Sequence, residues 1–137
     1  MLAQNKILAI TSDSVLVNFL RQELSDDDFE IISTRHTGIQ LKDVIEMEEP
    51  DFIILDIMMP TLDGIGVCLQ LRQWTQLPIL MLTTWGTTNG TLRGLNLGAD
   101  DYLTEPFGID ALKERIKLTL KRNVPVTDNP VSNNGRK

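Results

Sequence analysis

Asp56 is the residue best placed to do chemistry. It closes the wholly apolar run Phe52, Ile53, Ile54, Leu55. A carboxylate ending such a run is costly unless it reaches solvent, a metal or hydrogen-bond donors. It therefore either caps the following loop or belongs to a site. Asp13 follows a second apolar run, KILAI at residues 6–10, and its simpler role is a helix N-cap. Thr83 and Thr84 follow a third, PILML at 78–82, where a hydroxyl is commonplace. Taken together, an acid after one strand, an acid after another and a hydroxyl after a third would point into one crevice.

Other reactive arrangements are missing. His36 is the only histidine and Cys68 the only cysteine, so neither a Ser-His-Asp set nor a zinc cluster is visible. Cys68 cannot form an internal disulfide and reads as core, with a reducing cytosol as the default compartment. An aspartate-nucleophile phosphatase needs a second acid two residues after the first, and that position holds Met58.

The elements that must position these residues follow from periodicity. Val15, Leu16, Phe19, Leu20 and Leu24 recur at helical spacing, with Ser12 or Asp13 as cap and Asp26–Asp28 after the end. Residues 29–34 are rich in β-formers. Ile39, Leu41, Val44 and Ile45 suggest a second helix ending before Pro50. FIIL and PILML are continuous apolar runs, as expected of parallel strands covered on both faces. Ile65, Cys68, Leu69 and Trp74 mark a third helix. Gly86 to Gly98 is weakly helical, since Gly90 and Gly94 each cost about 1 kcal/mol relative to alanine. Asp101 to Thr104 reads as a short strand, and Ile109, Leu112, Ile116 and Leu120 as a final amphipathic helix. Met47, Met58 and Met59 read as filler and loop packing. Trp85 either shields the mouth of the crevice or, more simply, packs on the surface.

Strand and helix alternate throughout, which predicts a parallel sheet with helices on both faces. Ligands bind such sheets beyond the carboxyl ends of the strands, at the switch in strand order. The expected division is one domain over 1–122 and a Pro- and Asn-rich linker or disordered tail over 123–137.

Bulk composition agrees. The chain has 137 residues, 42% hydrophobic and 23% charged, and a net charge of −6. That length suits one domain without metal or disulfide staples. The negative charge disfavours broad contact with nucleic acid. No apolar stretch approaches the roughly 20 residues that span a bilayer, and no secretory signal opens the sequence. Acids gather at Asp26–Asp28 and Glu46–Asp51, and bases near the end, at Lys113, Arg115, Lys117, Lys121, Arg122, Arg136 and Lys137. Solvated helix faces explain both more simply than a binding patch does.

The runs ILDIMMPTLDGIGV, PILMLTTW and GLNLGADDYLTEPFGIDALKERIK resemble the receiver domain of two-component response regulators. The resemblance covers roughly residues 5–122, and its last third is most similar to the OmpR/PhoB type, which precedes a DNA-binding output domain. It implies a flavodoxin-like, doubly wound, five-stranded parallel (βα)5 fold. It also implies that Asp56 accepts a phosphoryl group from a sensor histidine kinase. Thr83 would then be the switch hydroxyl and Tyr102 the aromatic that swings inward. The Met58 carbonyl would be a magnesium ligand, with Asp56 and Asp13 as further candidates. Pro106 would follow a cis peptide bond. The fourth helix, fifth strand and final helix would form the dimerisation face, with Arg93, Asp100, Asp101, Lys113 and Arg115 in its ion pairs. Exposed helix and turn charges worth little each are the simpler reading of those five. No enzyme activity, membrane contact, flavin or nucleotide is expected: flavodoxins need a glycine-bearing loop where this chain has TSDS. A cytoplasmic location follows, and the tail suggests a piece of a longer protein.

The sequence departs from that family at the chemistry. Thr11 and Ser12 stand where receivers carry two adjacent acids, and Asp13 comes one position late. Glu105 stands where they carry a lysine. Phosphoryl transfer needs cations to neutralise the equatorial oxygens, and magnesium usually wants one or two carboxylates. Two carboxylates about 5 Å apart, at an effective dielectric near 20, repel by roughly 3 kcal/mol. Three resolutions stand open. Glu105 points away or is protonated; Glu105 and Asp13 rebuild a weakened Mg2+ site; or the domain is a pseudo-receiver, an interaction module working without phosphorylation.

Overall fold

The computed structural model describes residues 5–24, 29–56, 64–83, 98–104 and 107–122. The first strand, β1, is Asn5–Ile10, followed by helix α1 at Ser14–Leu24 and strand β2 at Phe29–Thr34. Helix α2 is Ile39–Glu48, strand β3 Phe52–Asp56, helix α3 Gly64–Trp74 and strand β4 Ile79–Thr83. Strand β5 is Asp101–Thr104, and the final helix is Ile109–Arg122. All the strand pairs are parallel and lie in the order β2-β1-β3-β4-β5.

The three central strands are apolar on both parities because both faces of the sheet are covered. Ile7, Ala9, Phe52, Ile54, Leu80 and Leu82 pack with Leu16, Leu20 and Leu24 of α1 and with Leu112 and Ile116 of the final helix. The alternate residues Leu8, Ile10, Ile53, Leu55, Ile79 and Met81 pack with Leu41 and Ile45 of α2 and with Val67, Cys68 and Leu71 of α3. Cys68 is core, as its sequence context suggests.

Several apolar residues counted toward helix spacing face outward instead. Val15 is 73% exposed and Met47 78%, so Met47 is not filler; Ile39 and Leu69 are exposed too. Val17, absent from the sequence-based set for α1, is buried in its place.

A polar clamp fixes the far end of the sheet. The Arg72 guanidinium on α3 donates to the carbonyls of Gly98 at 2.8 Å and Leu77 at 2.6 Å, and to the Asp100 carboxylate at 2.8 Å. Asp100 also accepts the Ile79 amide at 2.8 Å. Gly98 has φ +130°, and a Cβ there would lie 2.5 Å from Arg72 Cγ. Glycine is required at that position for both reasons.

Candidate functional site at the strand tips

The site begins with register. Ile10 lies opposite Leu55 in the β1–β3 pairing, which brings Thr11 level with Asp56. Side chains alternate along a strand, so Thr11 shares the parity of Ile7 and Ala9, and Asp56 that of Phe52 and Ile54. Both therefore fall on one side of the sheet at adjacent tips. The Thr11 hydroxyl donates to Asp56 Oδ2 at 2.5 Å, and both residues are buried. That distance is in the range of a charge-assisted O–H to carboxylate bond. It meets part of the demand that a buried carboxylate makes for donors. The Thr11 amide bonds the Thr34 carbonyl at 2.9 Å, continuing the β1–β2 ladder past the strand end.

Asp13 does not join Asp56 in the crevice. Its Oδ1 accepts the amides of Val15 at 2.9 Å and Leu16 at 3.3 Å, so it is the N-cap of α1. The capping alternative holds because the first-turn amides have no helical partner. Ser12 is exposed. Thr83 ends β4, with Thr104 of β5 opposite it in register. The Thr83 side chain, Met58, Trp85, Arg93, Glu105, Pro106, the run Asp26–Asp28, most of the fourth helical segment and the tail lie outside the described residues.

A cleft of about 580 Å³ opens beside these tips. Its lining includes Ser12, Asp13, Arg21, Thr34, Arg35 and His36. Thr34 repeats the local turn of Thr11, its hydroxyl accepting the His36 amide at 3.1 Å.

The remaining predicted residues divide by partner. Tyr102 on β5 is exposed, opposite Met81 in register. The Asp101 carboxylate accepts from the Arg115 guanidinium at 3.0 Å, within the chain. Asp100 belongs to the Arg72 clamp. Lys113 lines a shallow groove of about 370 Å³ on the final helix with Asp110, Glu114, Lys117 and Leu118. Arg72 itself escaped sequence reasoning. Its only legible trace is the Gly-Ala-Asp-Asp run it grips.

Among the described residues the donor set fits magnesium poorly. No group of three His, Cys, Asp or Glu side chains among the described residues is arranged to hold a metal. One oxygen of Asp56 already accepts a hydroxyl proton, and Asp13 caps a helix.

A parallel sheet covered on both faces, with a buried carboxylate ending its middle strand, defines a doubly wound α/β domain whose site lies at the strand tips. The family model for the response regulator receiver domain matches residues 7–117, and the chain belongs to that family. It is 39% identical over 124 residues to "Response regulator MprA" of Mycobacterium avium (strain 104), across 90% of this chain and 54% of that protein. It is 37% identical over 132 residues to "Probable transcriptional regulator ycf27" of Cyanophora paradoxa, across 96% of this chain and 55% of that one. The chain thus spans about half the length of the curated relatives it matches. The BeF3-activated N-terminal receiver domain of Klebsiella pneumoniae RstA superposes with a TM-score of 0.77 at 31% identity, covering 85% of this chain and 99% of that one. A two-component response regulator from Clostridium difficile gives 0.77 at 29%, covering 87% and 98%.

Proposed function

We propose that this chain receives a signal as the phosphoacceptor domain of a two-component response regulator. An Asp56 carboxylate oxygen attacks the phosphorus of a phosphohistidine on a sensor kinase. The P–N bond breaks, the histidine nitrogen takes up a proton, and an acyl phosphate forms. The observation that carries this reading is the position of Asp56, at the tip of the middle strand of a receiver sheet. The change is relayed through Thr83 and Tyr102 to the face made by the fourth helical segment, β5 and the final helix. There a second copy docks, and a DNA-binding output outside this chain responds. Relatives about twice as long, named as regulators, support such an output. The domain is a cytosolic signal transducer rather than an enzyme, and touches DNA only through that output. Among the described residues no helix is long and apolar enough to cross a membrane.

A second reading is favoured by the bond from Thr11 to Asp56 and by the capping role of Asp13. In it the domain is a pseudo-receiver that switches through protein contacts without phosphate. One experiment separates the two. The full chain is treated with a small phosphodonor over a range of Mg2+ and pH, and its intact mass is measured. A gain of one phosphoryl group that Asp56→Asn abolishes supports the phosphoacceptor. No gain under any condition supports the pseudo-receiver.

A further inference from the structure

The bond between Thr11 and Asp56 has a fixed polarity. The Asp13 amide donates to the Thr11 oxygen at 3.0 Å, and the Thr11 hydroxyl donates to Asp56 Oδ2 at 2.5 Å. The proton of that hydroxyl is therefore committed to the carboxylate, and one of its lone pairs to a backbone amide. The next side chain, Ser12, is neutral and exposed. The one after it, Asp13, has Oδ1 on the α1 amides of Val15 and Leu16. Magnesium needs a near-octahedral shell of oxygen lone pairs, usually with one or two carboxylates among them. The turn after β1 instead presents a proton to the carboxylate that would lead that shell.

We propose that Thr11 is a positioning residue whose hydroxyl fixes the Asp56 carboxylate, and that this pocket takes up no Mg2+. The inference rests on the phosphoacceptor reading for its consequence, which is that labelling of Asp56 proceeds without regard to Mg2+. Its cation claim is read separately.

The test titrates Mg2+ and Mn2+ alone into the full chain by calorimetry. The proteins are the wild type, Ser12→Asp and the double variant Thr11→Asp/Ser12→Asp. The wild type shows no saturable site over the range in which the double variant takes up one cation per chain. Because a second acid at buried Thr11 can impair folding, Ser12→Asp at its exposed position serves as the safer gain-of-site variant. A saturable site in the wild type that Asp56→Asn removes would overturn the proposal. So would the lack of a site in the wild type and both variants alike, since Thr11 and Ser12 would then not be its cause.

Phosphodonor labelling supplies the second readout. Wild-type labelling is the same in Mg2+ and in chelator, within twofold. Thr11→Val lowers it several-fold in both, and Thr11→Ser recovers most of the loss. A strong Mg2+ requirement in the wild type contradicts the proposal. Failure of every protein to take label counts against the phosphoacceptor reading, while the cation titration still decides this one.

Discussion

Asp13 and Thr11 sit two residues apart yet serve different neighbours. The Asp13 carboxylate satisfies two first-turn amides of α1. Replacing an N-cap aspartate by alanine costs about 1 kcal/mol. Asp13→Ala is therefore expected to lower the unfolding free energy by that amount, read as a lower urea midpoint with an unchanged m-value. A loss of several kcal/mol would show that Asp13 does more than cap. The position of Asp56 was legible because a carboxylate after four apolar residues has few bland explanations. The role of Thr11 was not legible. In the sequence it stands out only as a replacement for an acid, and its bond depends on the β1–β3 register. That pairing joins residues 45 apart, and no local spacing records it.

The α3–β4–β5 end of the sheet is held by the Arg72 clamp, whose two side chains are 18% and 22% exposed. Removing one partner of a largely buried, hydrogen-bonded pair costs about 3 kcal/mol. Arg72→Met keeps most of the aliphatic packing, so equilibrium unfolding should show a loss near that figure. A loss below about 1 kcal/mol, the level of an exposed pair, would mean the clamp is slack. A second element boundary gives the opposite sign. Glu49 ends α2 in the left-handed region with φ 50°. Glycine adopts that conformation without a Cβ penalty, so Glu49→Gly should be neutral or raise the melting temperature. A drop of several degrees would contradict the strain argument. Strands and helices were legible because both parities of β1, β3 and β4 are apolar and the helices keep their spacing. Arg72 was not, because most of its partners are backbone carbonyls, one of them 26 residues away.

Across the whole molecule, two cores share one sheet, and Cys68 lies inside the second. Burial pushes its thiol above the ordinary value; Arg72 opposes that shift and Asp100 adds to it. The folded state thus resists forming the thiolate that the unfolded chain forms freely. The contribution to stability is full below the unfolded thiol value, about 8.5, and is lost as pH rises toward the higher folded value. Stability measured by urea should fall more steeply from pH 8 to 10 in the wild type than in Cys68→Ala. Equal slopes would show that the thiol is not the group responsible.

The central claim, that Asp56 gathers a signal at the strand tips and passes it to the β5 and final-helix face, is tested most directly by amide NMR of the full chain. Spectra are recorded before and after phosphodonor, in wild type and Asp56→Asn. The account predicts that resonances of Thr11, Asp56 and Thr83 shift together with those of Tyr102 and the final helix, and that none of them shifts in Asp56→Asn. Shifts that persist in Asp56→Asn, or that leave β5 and the final helix untouched, would contradict it.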